Sequence, residues 1–151
     1  MKLRSDKKGF TLIELLIALS LLVAVVFVLY RFLEVGNKTF NQQTSEITAA
    51  NEMRDAMDII LLECRKGYTY SAADKSITCK TYVVTFRLEG NTFKMIKTDR
   101  TTSVETETIL GYDISSFTFD VGAERINIAL YSDVKDLSGN NLKIESVYYM
   151  R

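Results

Sequence analysis

The sequence predicts an α+β protein in which one long N-terminal helix packs against an antiparallel β-sheet head. Three observations support this fold class. The run from Phe10 to Tyr30 is apolar apart from a single charge, and the segment from Phe40 to Cys64 repeats apolar side chains at helical spacing. After Gly67 the period changes to two, which is typical of half-buried strands. A helical part followed by a run of short strands indicates α+β rather than a parallel α/β sheet.

Composition excludes several functional classes. The 151 residues carry 19 basic and 19 acidic side chains, a balance that argues against a generic nucleic-acid binder. Because the chain has no histidine, it has no Ser-His-Asp or Cys-His catalytic machinery and no histidine zinc site. Two cysteines are too few for a four-cysteine zinc site. The sequence also has no P-loop and no other spacing that selects a reaction, so we predict a protein that is not an enzyme and needs no cofactor or metal.

The first 33 residues combine a basic leader with a membrane-length helix. Residues 1–9 contain four basic side chains and one acidic one. As a helix, the apolar run from Phe10 to Tyr30 spans about 31 Å, which matches a hydrocarbon core of about 30 Å. The basic residues before the run predict that the N-terminus lies in the cytoplasm and the rest of the chain outside.

Glu14 is the feature that a simple membrane anchor does not explain. A carboxylate inside an apolar segment is costly and usually has a partner or a function. A cleaved secretory signal would have an apolar core of about 7–15 residues followed by a small-residue cleavage site. The run here is longer, and Arg31 and Phe32 follow it. An uncleaved signal anchor carrying an extracellular binding module is the alternative from another functional class.

The segment from Lys7 to Ala18, KKGFTLIELLIA, resembles the class III leader of type IV pilins and pseudopilins. The resemblance covers residues 7–33 and implies a membrane precursor that a prepilin peptidase cuts between Gly9 and Phe10. It further implies N-methylation of Phe10. The Glu14 carboxylate would pair with the N-terminal amine of a neighbouring subunit during docking into a filament, where a low dielectric strengthens the attraction.

The resemblance also implies partners and location. The partners would be other pilin subunits, the prepilin peptidase, the ATPase and platform protein of the filament-assembly machinery, and the lipid bilayer before assembly. Nucleic acid is not an expected partner. The precursor would cross the inner membrane once, and the product would be a cell-surface or periplasm-spanning filament. The many-stranded head and the ending from Ser146 to Arg151 look most like a minor pilin of the PilW or J-pseudopilin type. A type II secretion or competence pseudopilin is the alternative within the family.

The chain therefore divides into a leader (1–9), a membrane or filament-core helix (10–33), an amphipathic continuation (34–67) and an extracytoplasmic head (68–151). No proline interrupts the helix, which we expect to end at Lys66, with Gly36 as its softest point. Its apolar stripe should pack on the sheet, and its members are Phe40, Ile47, Ala50, Met53, Met57, Ile60 and Cys64. The opposite, polar face should carry Gln43, Ser45, Glu52, Asp55 and Asp58.

The head should contain antiparallel strands, because their connections are too short for parallel crossovers. A turn at Glu89-Gly90-Asn91 should join the first two. The predicted strands are Tyr82–Leu88, Thr92–Thr98, Val104–Leu110, Ile114–Val121, Ile126–Ser132 and Leu142–Met150.

Three candidate sites in the head have ordinary structural alternatives. Cys64 and Cys79 would form a disulfide or remain two separate buried thiols, and spacing alone does not decide between them. The loop from Asp133 to Asn141 has oxygen ligands suited to calcium, but glycine and asparagine also form ordinary turns, which we favour. A basic group in the head is diluted by nearby acids, so we interpret it as a solvated strand rather than a nucleic-acid site; its members are Lys94, Lys97 and Arg100.

Overall fold

The computed structural model describes residues 11–136 and 138–150. One helix precedes eight strands in this part of the chain. The elements are α1 (Leu12–Lys66), β1 (Thr69–Ser71), β2 (Ser76–Thr78), β3 (Tyr82–Glu89), β4 (Thr92–Asp99), β5 (Glu105–Gly111), β6 (Ile114–Val121), β7 (Arg125–Lys135) and β8 (Asn141–Tyr149). The predicted α+β class is confirmed, with the helix ending at the predicted residue.

The chain divides between Asn41 and Gln42 into two compact units. The first contains the apolar part of α1, which is helical without a break through Gly36. Its large apolar side chains are exposed, from Leu12 at 82% to Val35 at 65%. A helix that shows apolar side chains on all sides needs an apolar environment, either a membrane or other helices.

The second unit is the head, and it includes the last part of α1. The buried stripe of α1 comprises Ala49, Met53, Ala56, Met57, Ile60, Glu63 and Cys64. This stripe begins later than the sequence indicates, because Phe40 and Ile47 remain 67% and 61% exposed. Glu52, which we predicted on the polar face of the helix, contacts the rest of the head, since its Oε2 accepts the backbone N–H of Tyr112 at 2.9 Å. We call Gln42–Met150 the head from here on.

Five strands form the first sheet, in the order β1-β2-β3-β4-β5, with every neighbouring pair antiparallel. The β3–β4 hairpin turns at the predicted position, where Gly90 has a φ of +59°. Glycine adopts this left-handed conformation at little cost, as a tight hairpin turn requires. The short strands β1 and β2 are absent from the sequence prediction. Three residues are too few to show an alternating pattern.

The last three strands form a second sheet, in the order β6-β7-β8. The sequence predicts one antiparallel sheet, whereas the structure divides the strands between two. Alternate residues of β6 and β7 point into the core, as in the pair Phe119 and Ile128. The pairing shifts register within both hairpins of this sheet. Such irregularities bend and twist strands locally.

Helix and sheets share one hydrophobic core. At its centre lies a cluster of aromatic rings with centroids 4.7–6.2 Å apart, contributed by both sheets: Phe86, Phe93, Phe117 and Phe119. The rings are mostly tilted or edge-on, which are favourable aromatic arrangements. These contacts join the second sheet to the first in a single folded head.

Gly67 is needed where the helix passes into β1. A Cβ atom on this residue would lie 2.3 Å from Cγ2 of Ile77, which is completely buried. The backbone N–H of Gly67 closes the helix by donating to the carbonyl of Glu63 at 3.0 Å. The sequence indicates a glycine at the helix end, and the structure shows that close approach to β2 is the reason for it.

Candidate functional site

The first turn of α1 is built around Thr11 and Glu14. The Glu14 Oε2 accepts the backbone N–H of Thr11 at 2.9 Å and its hydroxyl at 3.0 Å. In return, the Thr11 Oγ1 accepts the backbone N–H of Glu14 at 3.4 Å. This reciprocal pattern is a capping box, in which threonine at the N-cap and glutamate three residues later satisfy the open donors of a helix start.

The capping box gives Glu14 a partner within its own chain. The T-x-x-E spacing that produces it is visible in the sequence, so Glu14 has a local role at the start of the helix besides the docking role that the resemblance implies. The residues of the predicted cleavage and methylation site, Gly9 and Phe10, lie outside the described part of the chain. Cleavage and methylation at these residues therefore stay predictions.

The segment after this turn is built for an apolar environment. Among the described residues, α1 is the one helix that is long and apolar enough to cross a membrane. The Ser20 hydroxyl donates to the carbonyl of Ile17 at 2.8 Å, so this polar group is satisfied inside the helix. At the end of the apolar stretch, Arg31 forms an ion pair with Glu34 at 3.2 Å.

In the head, the most concentrated charged site surrounds Glu63, whose side chain is 2% exposed. Its carboxylate accepts bonds from Tyr82 Oη at 2.8 Å, Lys97 Nζ at 2.8 Å and Lys66 Nζ at 3.2 Å. Burial acts to raise the pKa of Glu63, but the hydrogen bonds from Lys97, Tyr82 and Lys66 outweigh it and hold the pKa below its ordinary value. The site joins the end of α1 to β3 and β4, and no local sequence pattern indicates it, because Tyr82 and Lys97 lie 19 and 34 positions from Glu63.

The two cysteines lie in the same core cluster and are buried. The structure has both as free thiols, so the disulfide between Cys64 and Cys79 stays a proposal. Burial, with smaller contributions from Cys79 and Glu63, raises the pKa of Cys64 to about 12. Burial also raises the pKa of Cys79. Both groups are therefore protonated at neutral pH and poorly reactive in the folded head.

The basic side chains Lys94, Lys97 and Arg100 do not form one surface. Lys94 binds Glu89 and Glu107, both at 2.6 Å, and points to the face of β4 opposite to Lys97. Arg100 donates to the hydroxyl of Tyr68 at 2.7 Å. Each of the three side chains therefore has a partner within the head, and the expectation that they do not bind nucleic acid stays a prediction.

The loop from Asp133 to Asn141 has the ordinary turn structure that we favoured over a calcium site. The Asp136 Oδ1 accepts the backbone N–H groups of Ser138 and Asn140, both at 2.8 Å. Gly139 adopts a φ of +85°, as a tight connection between β7 and β8 requires. Over residues 11–136 and 138–150, no group of three or more cysteine or carboxylate side chains is arranged to hold a metal ion.

One known family pattern matches this chain. The prokaryotic N-terminal methylation motif covers residues 4–30, which include Gly9, Phe10 and Glu14. A search of curated proteins and of solved structures finds no match to the chain. The motif and the apolar helix that it begins are consistent with a membrane-anchored precursor.

Proposed function

We propose that this chain, whose methylation motif supports the type IV pilin and pseudopilin family, is a structural subunit of a type IV pilus or a related filament. It is made as a membrane precursor, cut between Gly9 and Phe10 by a prepilin peptidase, and methylated on the new amine of Phe10. The observation that carries this proposal is the position of the motif directly at the start of a helix with exposed apolar side chains.

The apolar part of α1 passes from lipid to a filament core formed by the same part of other subunits. Both environments keep its side chains away from water, and helix packing supplies the contacts that lipid chains gave before. Such assembly is head-to-tail and open, as filaments require. The free energy comes from an assembly ATPase acting through a platform protein, because the chain itself has no nucleotide-binding motif.

Glu14 is the docking residue in this proposal. Its carboxylate pairs with the Phe10 amine of a neighbouring subunit and thereby sets the register of the two helices. Both hydrogen bonds that Thr11 donates to the Glu14 carboxylate end on the same oxygen, Oε2. Because a carboxylate accepts several hydrogen bonds through its two oxygens, helix capping and docking are compatible.

Mass spectrometry of the mature N-terminus tests the processing step. We expect a chain that begins with N-methylphenylalanine at Phe10 when the protein is produced together with a prepilin peptidase. A chain that still begins with Met1 under these conditions would contradict the proposal and favour the uncleaved signal anchor.

Two substitutions separate docking from capping. Glutamine also serves at the third position of a capping box, so Glu14→Gln keeps the cap and removes the charge. Glu14→Ala removes both. We expect normal membrane insertion and cleavage for both variants and a strong loss of incorporation into filaments. The control is Glu34→Ala, which removes an exposed carboxylate from the same helix. If Glu14→Gln is incorporated like the wild type, the charge has no docking role.

Within the family we favour a minor pilin over a secretion or competence pseudopilin, on the resemblance of the many-stranded head and of the ending from Ser146 to Arg151. Quantitative mass spectrometry of purified filaments tests this assignment. A minor pilin is present at a small fraction of the main subunit. Filaments composed mainly of this chain would contradict the assignment.

A further inference from the structure

The second sheet has one face turned away from the core. In β7 the side chains of Ile128 and Leu130 belong to the hydrophobic core, so Asn127, Ala129 and Tyr131, which alternate with them, lie on the opposite face. Antiparallel partners share a face, so the neighbouring strands contribute to the same surface. We call it the outer face, and β6 and β8 add to it Thr118, Asp120, Lys143, Glu145, Val147 and Tyr149.

A hollow lies at the centre of the outer face, where Ala129 stands between Thr118 on β6 and Glu145 on β8. Ala129 is 6% exposed although it lies outside the core cluster, because the longer side chains around it shield it. The hollow has a volume of about 410 Å³. Ligand-binding clefts commonly have about 300–1,000 Å³, so the hollow is large enough for a small ring-shaped group.

Polar groups that are free to bind a ligand line this hollow. The Thr118 hydroxyl, the Asp120 carboxylate and the Asn127 amide belong to exposed residues, and none of them forms a hydrogen bond or an ion pair with another group of residues 11–136 and 138–150. A hydroxyl and an amide both donate and accept, whereas a carboxylate accepts. The set therefore matches a ligand rich in hydroxyl groups, each of which also donates and accepts.

Two tyrosines lie near opposite ends of the outer face. Tyr131 lines the hollow, and the Lys143 ammonium, which also pairs with Glu145, lies 5.2 Å from the centroid of its ring. A ring held in this way loses little conformational freedom when a ligand binds. Tyr149 is 67% exposed. Tyr131 pairs with Lys143, and Tyr149 follows Lys143 by six positions along β8, so the two tyrosines stand about 20 Å apart along the strands.

Sugars fit this combination of surfaces. A pyranose ring has an apolar C–H face that stacks on an aromatic ring, and its edge carries hydroxyls that need hydrogen-bond partners. A straight chain of such rings along β7 and β8 contacts both tyrosines and the hollow at once, which a compact ligand cannot do. A protein partner fits less well. Charged groups are depleted at the centre of protein interfaces, whereas Asp120 and Glu145 line this hollow.

We infer that the outer face of the second sheet binds a neutral, linear polysaccharide with β-1,4-linked sugar units. Such chains are straight ribbons, whereas α-1,4-linked chains curve away from a face of this length. The ligand is neutral because the unpaired carboxylate of Asp120 repels acidic sugars. This inference gives the head a ligand, and it holds whether or not the chain enters a filament.

Isothermal titration calorimetry tests the site with the full-length chain in phosphatidylcholine nanodiscs, which contain no sugar. The probes are cellohexaose and chitohexaose, which distinguish a glucan from an N-acetylglucosamine polymer. We expect at least one of them to bind with an affinity that is the same at low and high salt. The matching disaccharide reaches one tyrosine and should bind roughly tenfold more weakly. Absence of binding by both hexasaccharides, or equal binding of maltohexaose or hexagalacturonate, would overturn the inference.

Two variants test the geometry of the site. Tyr149→Ala should weaken the binding of the hexasaccharide roughly tenfold and so abolish most of its advantage over the disaccharide. Ala129→Leu fills the hollow and should weaken the binding of both sugars. The matched control is Tyr112→Ala, which removes a 54% exposed tyrosine from the loop between β5 and β6 and should bind like the wild type.

Circular dichroism establishes that each variant is folded. If Ala129→Leu does not fold, Tyr149→Ala decides the matter, because its exposed ring is not needed for the core. A Tyr149→Ala variant that keeps the full advantage of the hexasaccharide would contradict the inference. Failure of the sugar site is distinguishable from failure of the proposed function. Normal processing at Phe10 without sugar binding contradicts only the sugar site, whereas sugar binding by an unprocessed chain contradicts only the filament function.

Discussion

Replacing Glu63 by glutamine removes the charge from the most buried carboxylate of the described chain while keeping its shape. The carboxylate is 2% exposed and accepts bonds from Tyr82, Lys97 and Lys66 at 2.8–3.2 Å. The substituted amide retains one oxygen that accepts from Tyr82. Its NH₂ group faces the two ammonium groups, which have lost their counter-charge.

The structure sets the size of the expected effect. Breaking a buried ion pair by removing one partner costs about 3–5 kcal/mol. Lys97 and Lys66 are 34% and 46% exposed, so both can regain water, and the loss is smaller. We therefore expect Glu63→Gln to lower the free energy of unfolding of the head by about 2 kcal/mol. For a domain of this size, the loss corresponds to a decrease in Tm of about 8 °C.

Thermal unfolding followed by near-ultraviolet circular dichroism measures this change through the tyrosines of the head. The matched control is Glu107→Gln, because Glu107 also pairs with a lysine on the same sheet but is 51% exposed. We expect the control to shift Tm by only about 1 °C, as is usual for exposed pairs. Equal shifts for the two variants would refute the conclusion that the buried network stabilises the joint between helix and sheet.

Three further predictions concern the head. Because folding lowers the pKa of Glu63, its carboxylate stabilises the head fully at a pH above its ordinary pKa of 4.5, and this stabilisation is lost as the pH falls through the pKa of the folded state. The Tm difference between the wild type and Glu63→Gln should therefore shrink between pH 6 and pH 3. Gly67→Ala should destabilise the head by about 1–3 kcal/mol in urea unfolding, whereas Gly36→Ala, with no atom within 4 Å of the new Cβ, should not. Native protein produced in a reducing cytoplasm should resist alkylation at Cys64 and Cys79, and the same protein should take up two labels once it is unfolded. If unfolded protein taken from the outer side of the membrane takes up the labels only after reduction, the two cysteines form a disulfide there.

The larger elements of the fold follow from local patterns in the sequence. The helix ends at Lys66 as predicted, and six strands lie within a few residues of their predicted positions. These elements are long enough for a period of 3.6 or 2 to be visible, and Gly90 lies in the predicted hairpin turn. The methylation motif confirms the resemblance that rests on residues 7–33.

Features that depend on distant residues were not predictable in the same way. Glu63 is buried because Tyr82 and Lys97 come from strands 19 and 34 positions further along the chain. The division into two sheets depends on how the aromatic core closes, which no single strand pattern determines. The late start of the buried stripe, which leaves Ile47 exposed, likewise depends on where the sheets lie along the helix.

Strand β5 occupies an edge of the five-stranded sheet, and its residues from Glu105 to Ile109 are exposed on both faces. Exposed edges pair readily with the edges of identical molecules and so begin aggregates. Here Glu105 places a carboxylate along the edge, so two such edges repel each other when these carboxylates approach, whereas Glu107 pairs with Lys94. Under the proposed filament function, subunits concentrated in one membrane would thereby be protected from joining sheet to sheet, which leaves growth to the ordered contacts of the helices.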